Sequence, residues 1–348
     1  MGRRFLFSLV LIVVLIGVFS VLSGVLQAQG NRDAAFERVK EVQQRHTEKL
    51  LAKKGVVGTA LGYNNDRKPA LKVFVTKASV ADVPKKIDGV PVHKVVTSEI
   101  RALRPPAGKG PKPKDPPINR TSRFDRPVPI GVSTGHPAIT AGTIGCRVTD
   151  GANFYALSNN HVYADENNAN VGDNVLQPGT FDGGKDPADK LGTLDASEAI
   201  KFDGSANEID AAIALCSTET LGNATPSDGY GLPKSATLAV DYSMINQSVK
   251  KYGRTTGLTK GRIYAVNAIV EVGYDSGTAL FVNQIIITPG SFSGGGDSGS
   301  LVVFDGKGKT KQDDRKAIGL LFAGSSTITI ACPIDSVLSR FGVTIDGE

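Results

Sequence analysis

The chain has 348 residues, 40% of them hydrophobic, with 40 glycines and only 6% aromatics, which suits a turn-rich globular protein of more than one domain. Its net charge of +6 hides an asymmetry: 24 Lys and Arg against 10 Asp and Glu up to Pro127, then 16 against 24. Nothing interleaves the basic residues with stacking aromatics, which argues against a nucleic-acid module, and three cysteines with no CxxC pair and no His/Cys cluster exclude a disulfide-dense scaffold and a zinc site.

At the start, Met1–Arg4 is basic and Phe5–Leu26 is apolar, with a small residue at Ala28. Residues 1–28 read as a secretory signal peptide or an uncleaved membrane anchor, because the run is long enough to span a bilayer. Either way the bulk of the chain is exported. Asp33–Lys54 places Phe36, Val39, Val42, Leu50 and Leu51 near helical spacing, with Asp33 to cap the start and Gly55 to stop the helix. Val56–Tyr63, Ala70–Lys77 and Val90–Val96 then read as strands, which makes residues 31–103 a small α+β accessory or pro-domain.

Residues 104–127 are rich in Pro and Lys and cannot form a core, so they read as an extended, semi-rigid linker. The basic front is matched either to a membrane or cell-wall surface or to a solvated arm. From Val128 to the end, short apolar runs alternate with Gly, Asn, Asp and Pro, and a terminal helix is expected at Ile334–Arg340. Regular short strands with turn signals point to a β-barrel or a sandwich, and about 220 residues suit two six-stranded barrels better than one.

The chemistry concentrates at Ser293-Gly294-Gly295-Gly296-Asp297-Ser298-Gly299-Ser300, between two apolar strands. Glycines permit a tight loop that turns amides inward, a geometry suited to a serine nucleophile and a developing oxyanion. Alone, such a run is more often a surface loop than a catalytic one. His161 follows the apolar strand Phe154–Ser158, where a lone histidine is more often structural, and Asp210 stands at the mouth of the apolar strand Asp210–Leu215, where an acid is commonly a turn residue or a cap. The order His161, Asp210, Ser298, at separations of 49 and 88 residues, supplies a base, an orienting acid and a nucleophile. An α/β-hydrolase needs a histidine after the serine, and the four histidines all precede it. A subtilisin order lacks its helices, and Gly308-Lys309-Thr310 has Val303 where a phosphate loop needs glycine.

In these motifs the chain resembles the trypsin-like serine peptidases with the chymotrypsin double-barrel fold. Leu157-Ser158-Asn159-Asn160-His161-Val162 is similar to the histidine motif of the bacterial high-temperature-requirement branch, and Gly296-Asp297-Ser298-Gly299 to the family's serine motif. Lys251–Gly261 resembles a Thr-Thr-Gly turn of secreted bacterial members, and Ala317–Gly324 the strand that pairs with substrate. The resemblance spans about Pro129 to Val343, within a peptidase domain of residues 128–348. It implies that Ser298 is the nucleophile, His161 the general base and Asp210 its orienting partner, with the Gly296 and Ser298 amides as oxyanion hole. It also implies a protein or peptide substrate, and no cofactor or metal.

Phe292 stands near the place where trypsins carry an acid, so an apolar or small residue is expected before the cut, with Phe322 and Gly324 also touching substrate. Animal trypsins pair the acid matching Asp297 with a freed N-terminal amine, and no such terminus is visible here, so activation is expected to differ or be absent. Ser300 replaces a usual glycine, and no cysteine lies beside His161 or Ser298 to form the usual disulfides. The acidic loop Asp165–Asp173 reads as a solvated turn in preference to a calcium site. The alternative from a different class is a silent or regulated fold that binds peptides or wall material in the same groove.

Overall fold

The computed structural model describes residues 27, 29–105 and 118–348. The signal or anchor segment, apart from Gln27, and the Pro/Lys-rich centre of the linker lie outside the described residues. The architecture is a mostly β region preceded by a small α+β unit, as expected from the patterning.

A six-stranded antiparallel sheet is built from Cys146–Thr149, Phe154–Ser158, Asn174–Leu176, Lys190–Ser197, Ala212–Cys216 and Thr344–Ile345. Phe154–Ser158 pairs directly with Ala212–Cys216, with Ser158 opposite Ala212. A second set of six strands closes on itself. Ser248–Gly253 pairs with Gly257–Gly273, which pairs with Thr278–Thr288; the path returns through Thr329–Pro333, Lys316–Gly324 and Leu301–Phe304. Closure leaves this ring without free edges and surrounds a core of Ile, Val, Leu and Phe.

The long hairpin Gly257–Thr288 reaches past the ring, and the N-terminal strands extend it. Val56–Tyr63 pairs with it antiparallel, Gly58 opposite Val270 and Gly62 opposite Ala265. Pro69–Val75 and Val90–Val96 continue the sheet. The helix over residues 29–51 lays Phe36, Val39, Val42 and Leu50 into one apolar cluster with Leu71, Val73, Ile285 and Phe292. Burying large side chains of this kind stabilises by roughly 1.5–3 kcal/mol each, so the N-terminal unit and the second ring share one core. Gln43 and Asn267 seal this junction with two hydrogen bonds of 2.8 and 2.9 Å.

Among the linker's described ends, Arg120 is buried and donates to the carbonyls of Arg254 and Thr255, and Arg123 pairs with Asp189. These ends lie against the β region. All three cysteines are free; Cys146 and Cys332 are buried, and burial pushes their thiols up.

Candidate active site

Register places the first two residues. Because Phe154–Ser158 and Ala212–Cys216 are neighbours, the end of one and the start of the other fall side by side. His161, on the one-turn helix Asn160–Tyr163, therefore meets Asp210. Asn159 Nδ2 donates to the Asp210 carbonyl at 2.6 Å and holds the two segments together. His161 Nδ1 lies 2.5 Å from Asp210 Oδ2, and the His161 amide donates to Oδ1 at 3.3 Å. An ionised carboxylate only accepts, so this pairing selects the tautomer with the proton on Nδ1 and leaves Nε2 as an acceptor. Both side chains are buried, and Nε2 has no hydrogen-bond partner among the described residues.

Asp210 Oδ2 also accepts from Tyr274 Oη at 2.8 Å. Tyr274 arrives from the turn Gly273–Gly277, between the two strands of the long hairpin. Its phenol is pushed well above its ordinary range, first by burial and then by the Asp210 charge, so it remains a donor. Its ring packs edge-on to His161 at 5.9 Å and against Phe281. Nothing local in Gly273-Tyr274-Asp275-Ser276-Gly277 signals this role; the only hint is an aromatic residue in a turn bracketed by glycines.

The Gly294–Gly299 loop is organised by Asp297, whose side chain is wholly buried. Its carboxylate accepts from the amides of Gly294, Thr255 and Thr256 at 2.8–3.2 Å and from Thr256 Oγ1 at 2.6 Å. Lys251 Nζ, also wholly buried, stands 3.3 Å from Asp297 Oδ2. Burial alone would raise the carboxyl; the Lys251 ammonium and the converging donors outweigh it and hold Asp297 below the ordinary range. The inward-facing positions of Ser248–Gly253 carried the signal for Lys251, since Val249, Lys251 and Gly253 share a strand face. Gly296 has φ +96°, and an added Cβ would meet Arg254 Nη1 at 2.6 Å. Gly299 abuts Ser158, the strand end that leads to His161, and a Cβ there would come within 2.2 Å of Ser158 Oγ. Thr143 links the same parts, its amide donating to the Ser298 carbonyl at 2.7 Å and its hydroxyl to the Gly296 carbonyl at 2.9 Å.

Ser298 Oγ is placed for donation to the Phe322 carbonyl at 3.1 Å and lies 3.2 Å from the Leu103 carbonyl oxygen. It is not hydrogen-bonded to His161 in this arrangement. The Gly296 amide donates to that same Leu103 oxygen at 2.7 Å. Leu103 belongs to the N-terminal segment, which runs through the groove as an added strand. Arg101 and Ala102 pair antiparallel with Gly324 and Ala323, and the Leu103 amide donates to the Phe322 carbonyl at 3.1 Å.

The three residues expected to touch substrate behave differently. Gly324 lies against the Leu103 side chain, where a Cβ would meet Leu103 Cδ1 at 3.4 Å. Phe322 offers its carbonyl, while its ring is buried on Phe281 at 4.7 Å. Phe292 is buried in the apolar cluster against which Leu103 packs. In the loop after His161, Glu166 is buried at φ +52°, accepts from the Ser276 amide at 2.8 Å and pairs with Arg104 at 2.6 Å. In the acidic loop Asp165–Asp173, therefore, one acid is buried and ion-paired, and Asp173 lies 3.3 Å from His136.

Residues 234–330 match the family model described as the Nal1 C-terminal domain. No curated protein matches the chain. Among solved structures the chain is similar to Thermobifida fusca protease A, at 20% identity and a TM-score of 0.45, over 63% of this chain and 98% of that one. A glutamic-acid-specific serine protease, described as using a histidine triad in substrate binding, aligns at 22% identity and a TM-score of 0.44, over 63% and 100%. Cellulomonas bogoriensis chymotrypsin aligns at 19% identity and a TM-score of 0.42, over 65% and 100%.

Proposed function

We propose that the chain is an exported serine endopeptidase that hydrolyses peptide bonds through Ser298, His161 and Asp210. One observation carries this reading. A peptide carbonyl, that of Leu103, takes the Gly296 amide at 2.7 Å and stands 3.2 Å from Ser298 Oγ, so the groove already receives a main chain with its carbonyl at the serine.

In this reading each group has one role. Ser298 Oγ rotates to His161 Nε2, which accepts its proton as Oγ bonds to the carbonyl carbon. Asp210 keeps the imidazole in the required tautomer and balances the imidazolium, and Tyr274 holds the carboxylate in place. The Gly296 amide, with the Ser298 amide beside it, stabilises the oxyanion, a contribution of about 3–4 kcal/mol per donor in comparable sites. His161 returns the proton to the leaving amine, and water then hydrolyses the acyl-enzyme.

A peptide library incubated with the full chain tests the reading. Turnover is expected to be slow for the wild type and faster for Leu103→Asp, in which an acidic side chain disfavours the segment now in the groove, and it is lost in Ser298→Ala. Absence of turnover in both active-serine forms would assign the chain to the silent, peptide-binding class instead.

A further inference from the structure

Resting on that reading of the site, we infer that the chain is its own first substrate: the groove selects leucine before the cut and a basic residue after it, and the bond divided is Leu103–Arg104.

The segment Ile100–Pro105 occupies the groove with complementary contacts on both sides of the serine. Before Leu103, the backbone pairs with Ala323 and Gly324 on one flank, and the Gly273 amide donates to the Ile100 carbonyl at 2.9 Å on the other. Upstream, Thr97 Oγ1 contacts Ser325 Oγ at 2.6 Å, so the segment is fastened before it enters. At the serine, the Leu103 side chain packs on the apolar cluster that contains Phe292, against Gly324. Immediately beyond, Arg104 Nη2 lies 2.6 Å from Glu166 Oε1 and Nη1 lies 2.8 Å from Asp275 Oδ2.

These two acids form a clamp joined to the catalytic parts. Glu166 is five positions after His161, and Asp275 is the residue after Tyr274. Glu166 is nearly excluded from solvent, and a buried carboxylate without a cation is strongly disfavoured. The residue after the cut is therefore read by charge, and a guanidinium matches the two carboxylates better than any neutral side chain. Gly295 is needed for this path, because a Cβ there would come within 2.2 Å of the Arg104 carbonyl oxygen.

The reaction balances within the chain and water. Ser298 Oγ bonds to the Leu103 carbonyl carbon, and its proton passes to His161. The Leu103–Arg104 bond breaks as His161 gives that proton to the Arg104 nitrogen. Water then splits the ester, leaving a Leu103 carboxylate and restoring the serine. Because the N-terminal strands share a sheet and a core with the long hairpin, the fragment ending at Leu103 stays bound and keeps its new carboxylate near the serine. Processing and release of inhibition are thereby separate events.

The test follows purified full-length protein over time by intact mass and N-terminal sequencing. The wild type is expected to yield a fragment beginning at Arg104, and Ser298→Ala to stay whole. Arg104→Lys should be cut near the wild-type rate and Arg104→Glu at least about tenfold more slowly. Glu166→Gln should collapse the difference between Arg and Glu at position 104, which a merely structural role would not do. Asp275→Asn, whose side chain is 80% exposed, reduces the preference without disturbing the buried acid. Wild type that turns over library peptides yet leaves Leu103–Arg104 whole, or cuts Arg104→Glu equally fast, overturns the inference while the peptidase reading stands. No turnover of library peptides and no self-cleavage would remove both.

Discussion

Lys251 Nζ stands 3.3 Å from Asp297 Oδ2, and neither side chain reaches solvent. An ammonium from inside the sheet thus occupies the place that the trypsin resemblance assigns to a freed N-terminal amine. This pair and the amides around it hold the serine loop, and the Leu103 segment lies along the groove beside Ser298. Lys251→Met leaves a buried carboxylate unpaired and should cost about 3–5 kcal/mol of stability, read as a lowered Tm together with slower labelling of Ser298.

The same pair fixes a response to acid. The folded-state carboxyl of Asp297 lies below its unfolded value, so its contribution is complete above the ordinary carboxylate pKa of about 3.9 and is lost as pH falls through the lower folded value. Denaturant titrations from neutral pH downward should show wild type losing stability more steeply than Asp297→Asn.

Tyr274→Phe removes one donor from Asp210 Oδ2 and leaves the His161 contact intact. A hydrogen bond to a charged group is worth about 1.5–3 kcal/mol, so kcat should fall by about 10- to 100-fold, with KM little changed. A parallel rise in KM would show that the phenol shapes the groove instead of holding the carboxylate.

Gly296→Ala tests the amide at the Leu103 carbonyl. The residue sits at φ +96°, and its added Cβ would approach Arg254 Nη1 at 2.6 Å and Thr255 Oγ1 at 2.8 Å. The loop must shift, and losing one oxyanion donor corresponds to about a 10²- to 10³-fold fall in kcat. Thermal unfolding should show a far smaller change than activity does.

Lys72, in the N-terminal unit, supplies a signal at alkaline pH. Its ammonium is buried, donates to the Tyr63 carbonyl at 2.8 Å and lies 3.7 Å from the Tyr264 ring centroid. Burial lowers its pKa from 10.5 to about 8. The unfolded chain therefore binds more protons between these values, and this group's contribution to stability rises with pH from about 8 upward at about 1.4 kcal/mol per unit at most. Relative to Lys72→Met, wild type should gain stability across that window. A constant difference would place the ammonium in contact with water.

What the sequence made legible was periodic or punctuated. Short strands, the first helix and the glycine loop each carry a local pattern, and His161, Asp210 and Ser298 stood out because each follows or precedes an apolar strand. Most of the other contacts have little or no local signature. Tyr274 reaches Asp210 across 64 residues through a hairpin turn. Arg104 was the first residue of a stretch read as linker because proline and lysine dominate it, yet two acids far along the chain hold it. Glu166 read as part of a solvated acidic turn, since composition cannot show that one carboxylate of several turns inward. Long-range register and charge pairing decide these cases, and neither is written in a window of a few residues.

The central claim is that Ser298 is a nucleophile activated by His161. Labelling of the full chain with a fluorophosphonate, with the adduct located by peptide mass spectrometry, tests it most directly. The expected result is one adduct on Ser298, formed faster in Leu103→Asp than in wild type, and absent from Ser298→Ala and His161→Ala. Equal labelling of Ser298→Ala, or no adduct in either wild type or Leu103→Asp, would contradict it.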